Sequence, residues 1–221
     1  MDPVDQCLAF GPLAVYLTLL GVINLARRPL LVSGGRDAAA LGLALSGLII
    51  IGPLSLGFPE LLALRMGPAG VRYVWIVLVA LYGLCLVLVL LTLRPRLVIY
   101  NISADQLRAI LAELVEQLDP EARWAGDSLA LPALGVQLYL DNTAYMRTVS
   151  LVSAGPKQDE RGWGRLEQAL RGALGAVEVP RNPRGVTLMS LGLVAGMMLA
   201  WGVASHSQAI ARTLYEWLQW P

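Results

Sequence analysis

The chain has 221 residues, room for one ordinary domain or for a membrane part plus one small domain. Its apolar class reaches 56%, charged residues make up only 15% and mean hydropathy is +0.60, which excludes a secreted, fibrous or disordered chain and points to the membrane. Seventeen Lys plus Arg against 16 Asp plus Glu leave a net charge of +1, so no global basic field points to nucleic acid as a partner.

In chain order, the start MDPVDQC lacks the basic opening of a signal peptide, so the first hydrophobic segment is expected to stay in the mature protein. Runs of about 20 apolar residues can cross a bilayer. Residues 6–26, 38–59 and 73–93 supply three such runs, and a fourth begins at Gly185 with VTLMSLGLVAGMMLAWGVA. The expected fold class is a multi-pass α-helical membrane protein of four transmembrane helices carrying an inserted small α+β domain. Gly52-Pro53 would kink the second run, which leaves open three spans with one re-entrant segment.

The expected domains are residues 6–93 for the first three helices, 94–184 for the insert, and 185–221 for the fourth helix with an outer amphipathic tail. Four spans would gather Arg27, Arg28, Arg36, Arg94, Arg96, Arg181 and Arg184 on one side, against Arg65, Arg72 and Arg212 on the other. Basic residues favour the cytoplasm. Both termini are therefore expected outside and residues 94–184 in the cytoplasm, in a bacterial inner membrane.

The insert is neutral, with 11 basic and 11 acidic residues in its 91 positions. RLVIYNI reads as a strand. SADQLRAILAELVEQLD reads as a helix with a capping box of Ser103 and Gln106 and an apolar stripe of Leu107, Ile110, Leu111, Leu114 and Leu118. Short stretches at 123–124 and 128–131 suit minor strands. Leu134, Val136, Leu138 and Leu140 alternate with polar positions, and 146–152 reads as the hairpin partner. Residues 155–162 look like an exposed loop. Trp163, Leu166, Leu170, Ala173, Leu174 and Val177 mark a second helix, followed by a short strand over 176–179. This order fits helices on one face of a mostly antiparallel sheet, and a ferredoxin-type split βαβ arrangement is compatible with it.

Reactive constellations are scarce. No ionisable residue sits centrally in any span, Asn24 belongs near the interface, and His206, the only histidine, has no second ligand at helical spacing. Asp127, Asp141 and Asp159 read as surface or turn carboxylates, Cys85 as a buried small hydrophobe, Cys7 and Cys85 suggest no disulfide framework, and no phosphate loop or metalloprotease motif occurs. No cofactor and no metal are expected, and the chain is not expected to be an enzyme. Gly192, Gly196, Ala200 and Ala204 recur every fourth residue, a face on which another helix can approach closely. Tyr215, Trp217 and Trp220 suit the outer interface. The functional expectation is a non-enzymatic membrane subunit that anchors a cytoplasmic interaction domain, with membrane lipids and further subunits, like or unlike, as partners. The alternative is a homo-oligomeric channel lined by the fourth span, with the insert as its vestibule.

Overall fold

The computed structural model describes residues 3–55, 58–143, 146–156 and 158–206. The chain runs α1 (Pro3–Leu25), β1 (Leu30–Ser33), α2 (Gly34–Ser55), α3 (Phe58–Thr92), β2 (Arg96–Tyr100), α4 (Ala104–Leu118), β3 (Arg123–Ala125), β4 (Ser128–Leu131), β5 (Val136–Thr143), β6 (Thr148–Ser153), α5 (Glu160–Gly175) and α6 (Arg184–Ser205). It divides into two compact units. One holds residues 1–19, 39–91 and 188–221, and the other holds 20–38 and 92–187.

Among the described residues three helices are long and apolar enough to cross a membrane: Val4–Leu25, Gly34–Gly52 and Arg184–Ser205. This corrects the expectation of four. The apolar stretch described in α3 is the shorter Ile76–Thr92. At 1.5 Å per residue it covers about 25 Å, less than the roughly 30 Å of a hydrocarbon core. The protein is thus a multi-pass helical chain with three membrane-length helices and an inserted mixed α+β region.

Within the first unit, glycine and alanine let helices approach. Ala9, Ala44 and Ile51 are buried. A Cβ on Gly47 would stand 2.6 Å from the Ala9 carbonyl oxygen and 2.9 Å from its Cα, so α2 can lie on α1 only with glycine there. A Cβ on Gly192 of α6 would stand 2.7 Å from the Ala14 carbonyl oxygen of α1. Tyr82 of α3 donates its hydroxyl to the Gly42 carbonyl of α2, which satisfies a polar group where water is absent.

The second unit is built on a six-stranded sheet in the order β1-β2-β6-β5-β4-β3, every neighbouring pair antiparallel. Its core joins Leu97, Ile99, Leu131, Val136, Leu138, Val149 and Leu151 of the strands to Leu107, Leu111 and Val115 of α4 and Trp163, Leu166, Leu170 and Leu174 of α5. The capping box forms at α4, with Ser103 accepting from the Gln106 N–H and Gln106 from the Ser103 N–H. On β5, Val136, Leu138 and Leu140 point into the core while Gln137, Tyr139 and Asp141 are exposed on the opposite face.

The sheet order is not that of the ferredoxin type. That arrangement leaves one strand between the two joined by the first helix, whereas β2 and β3, joined by α4, are separated by β6, β5 and β4. The edge beside β2 is filled by β1, which comes from the connection between α1 and α2. Residues 176–179 form no strand, and the Val179 N–H donates instead to the Arg27 carbonyl at 2.8 Å. The expected loop over 155–162 is shorter, because Asp159 caps α5 by accepting from the Arg161 N–H at 2.9 Å. Gly162 is buried, where a Cβ would meet Val136 Cγ2 at 2.9 Å.

One consequence concerns the membrane. A hydrogen-bonded sheet cannot be divided by a bilayer, so β1 and the insert lie on the same side of it.

Candidate functional site: a polar junction beside an arginine cleft

The second unit meets its own helix ends through three buried asparagines, Asn24, Asn101 and Asn182, which are 2%, 0% and 3% exposed. Asn24 lies in the last turn of α1. Its side-chain amide donates to the Leu20 carbonyl at 2.9 Å, and its side-chain oxygen accepts from the Asn182 amide at 3.0 Å. The Asn182 backbone N–H also donates to the Asn24 carbonyl at 3.0 Å, and the Asn182 side-chain oxygen accepts from the Arg184 N–H that opens α6. Asn101 closes β2 with φ at +61°, a left-handed conformation that asparagine tolerates better than most residues. From there its amide donates to the Ala26 carbonyl at 2.7 Å. A Cβ on Gly185 would lie 2.8 Å from the Gly21 carbonyl oxygen, so glycine is needed where α6 starts against α1.

A second polar group ties the start of α2 to the sheet. Arg96 and Tyr100 stand four residues apart on β2 and therefore on one face. Asp37, in the first turn of α2, accepts from Arg96 Nη2 at 3.0 Å and from the Tyr100 hydroxyl. The pair is partly shielded, with the Asp37 side chain 18% and the Arg96 side chain 33% exposed. Gly34 is packed against the aliphatic stem of Arg96.

Beside this junction lies an open cleft of about 490 Å³ lined by Arg27, Glu178, Val179, Pro180 and Arg181. The Val179–Arg27 backbone bond brings Arg27 and Arg181 together across the length of the chain. Arg28 is exposed next to Arg27. Arg27, Arg28 and Arg181 make no ion pair among the described residues, whereas Arg96, Arg108 and Arg171 each hold a carboxylate.

Of the residues singled out in the sequence, all seven topology arginines fall in this one compact unit. Within the chain, the positions of the small-residue stripe have different surroundings. Gly192 is buried against α1, Gly196 has nothing within 4 Å of the position a Cβ would take, and Ala200 and Ala204 are exposed. Tyr215, Trp217 and Trp220 lie outside the described residues. Asp127 pairs with Arg108, Asp159 caps α5, Asp141 is exposed, and the His206 ring lies 3.1 Å from the Gly202 carbonyl. Cys7 and Cys85 are free thiols, and Cys85 is exposed on its helix, not buried as expected. Among the described residues no group of three or more His, Cys, Asp or Glu side chains is arranged to hold a metal. The Asn101 and Asn182 contacts carry no sequence signal of their own, because both depend on partners far along the chain.

A larger open hollow of about 690 Å³ lies in the insert beside Leu131, Pro132, Gly135, Gln137, Gln158 and Asp159. Its polar groups are engaged within the fold. Gln158 donates to the Gln137 and Ala154 carbonyls and accepts from the Trp163 indole N–H at 3.0 Å. Comparison with protein-family models, with curated proteins and with solved structures finds no significant match.

Proposed function

We propose that this protein is a non-enzymatic membrane subunit whose helices hold the α+β unit at the cytoplasmic face of a bacterial inner membrane, where the unit engages another copy or an unlike chain. The carrying observation is the way β1 joins the sheet. A strand between two membrane-length helices pairs with the sheet of the insert, which supports a role for those helices as the anchor of the domain. The asparagine junction and the Asp37–Arg96 pair support the same reading, since most of their polar groups join elements, Asn101 Oδ1 and Arg96 Nε being the buried atoms left without a partner among the described residues. The cytoplasmic assignment is supported by the seven arginines in this unit. It puts the N-terminal end of α1 outside and the start of α6 inside.

The face of β5 that carries Gln137, Tyr139 and Asp141 is the surface we assign to the partner, with Tyr139 40% exposed at its middle. The channel alternative loses ground at Gly192, whose face on α6 is occupied by Ala14 and Thr18 of α1 instead of a lumen. The test is a mass measurement in mild detergent with identification of co-purifying chains, on wild type and on Tyr139→Arg. Assembly that is lost in Tyr139→Arg, with helical content unchanged, supports the reading. A wild-type chain that is monomeric and alone contradicts it.

A further inference from the structure

Arginines near helix ends orient a chain in the membrane wherever they point, but these converge. Residues 27 and 181 are held side by side by the Val179–Arg27 backbone bond and by the Asn24–Asn182 pair just behind them. Their cleft lies beside the ends of two membrane-length helices. Arg27 and Arg28 follow the end of α1 at Leu25, and Arg181 precedes the start of α6 at Arg184. With α1 and α6 crossing the bilayer, helix ends of this kind stand at the depth of the lipid phosphates. Glu178 is the one carboxylate in the lining, and among the described residues it forms no ion pair with either arginine. Val22 and Val186, 52% and 54% exposed, offer apolar surface within the first turn of each helix from this face.

We propose that Arg27 and Arg181 form a headgroup site for an anionic phospholipid of the adjoining leaflet. Guanidinium groups pair two-toothed with phosphate oxygens, and a cleft at the polar edge of the bilayer presents them at phosphate depth. The cleft is wide enough for a phosphodiester with a small alcohol, and the acyl chains continue along the apolar helix ends. The proposal rests on the reading that α1 and α6 enter the membrane beside this unit. It does not depend on which side that is, nor on any protein partner.

The full-length chain is reconstituted in nanodiscs of phosphatidylcholine with a minority of phosphatidylglycerol, and the lipids it retains on release into mild detergent are counted by native mass spectrometry. Wild type is expected to retain phosphatidylglycerol in preference to phosphatidylcholine. Arg27→Gln with Arg181→Gln is expected to reduce that preference by about tenfold, since two charges at the membrane surface are removed. Arg123→Gln with Arg165→Gln, elsewhere on the insert, is expected to leave it unchanged. Because glutamine also weakens the topology signal, Arg27→Lys with Arg181→Lys keeps the charge and removes the two-toothed geometry. Its retention is expected between wild type and the glutamine pair. Equal retention in wild type and the glutamine pair overturns the site, as does a wild type without preference. Release of phosphatidylglycerol by millimolar inorganic phosphate, with phosphate bound in its place, overturns the lipid assignment in favour of a soluble anion.

Discussion

Helices α5 and α6 differ by only a few residues in length and bury themselves in different ways. Helix α5 sinks Trp163, Leu166, Leu170 and Leu174 into the core of the sheet. Helix α6 leaves Leu191, Leu193, Val194, Met197, Met198 and Trp201 exposed, Trp201 to 77%. In water, an apolar stripe is enough to tell a helix which side faces the core, because removal of apolar area from water supplies the drive. In lipid that drive is nearly absent between helices, and position is set by how closely backbones can approach. The α+β unit therefore depends on large side chains filling space, and the helical unit depends on small ones leaving it.

This difference can be broken most severely on the water-facing side. Leu111 is fully buried between α4 and the sheet. Leu111→Ala is expected to destabilise the α+β unit by about 2–5 kcal/mol. Limited proteolysis of the full chain in detergent would read this as faster cleavage within residues 96–175. An unchanged cleavage rate would mean that α4 is not a core element.

In the membrane the effect should invert, with enlargement doing the damage. Gly192→Leu forces a side chain into Ala14 and Thr18 of α1, at a cost of about 1–3 kcal/mol. Gly196→Leu, one turn along the same stripe, has open space and should leave the thermal midpoint of the isolated chain unchanged. Equal loss at both positions would show that the whole stripe is packed.

The smallest effect belongs to exposed charge. Arg108 pairs with Asp127 and lies over Trp124 at 5.8 Å, with its side chain 47% exposed. Arg108→Ala should cost under about 1 kcal/mol, and less as salt is raised. A loss as large as that of Leu111→Ala would mean that this pair is shielded in an assembly.

Much of the α+β unit is legible in the sequence because its signals are local. Ser103 and Gln106 write the start of α4, and the alternation of Val136, Leu138 and Leu140 writes a half-buried strand, with Leu134 left in the turn before it. Burial on α4 follows Leu107, Leu111 and Val115, with Ile110, Leu114 and Leu118 at its margin, so even there the apolar stripe lies slightly off the buried centre line. What the sequence does not write is pairing. LLVS at β1 is four residues between two hydrophobic runs and becomes a strand only by meeting β2. For the same reason it hides the sheet order, since alternation says which way side chains face and nothing about the neighbour. Hydropathy over-counts the spans by weighing apolarity over 73–93, where the described apolar helix is Ile76–Thr92. On the α6 stripe, Gly192 meets α1, while Gly196 has nothing of its own chain within 4 Å of the position a Cβ would take. Within the candidate site, the arginines are visible as a charge bias, but their convergence at one cleft comes from the Val179–Arg27 contact.

The pairing of β1 with β2 ties the connection between α1 and α2 to the sheet, and it can be measured by disulfide cross-linking. Val32 stands opposite Val98 in the antiparallel register, at a separation a disulfide can close. With Cys7 and Cys85 replaced by serine, cysteines at 32 and 98 should cross-link under mild oxidation in the membrane. Cysteines at 32 and 97 should not, because Leu97 faces the core on the other side of the sheet. Failure of the 32–98 pair, or equal yield from 32–97, would detach β1 from the sheet and remove the reason for placing the two loops on one side of the membrane.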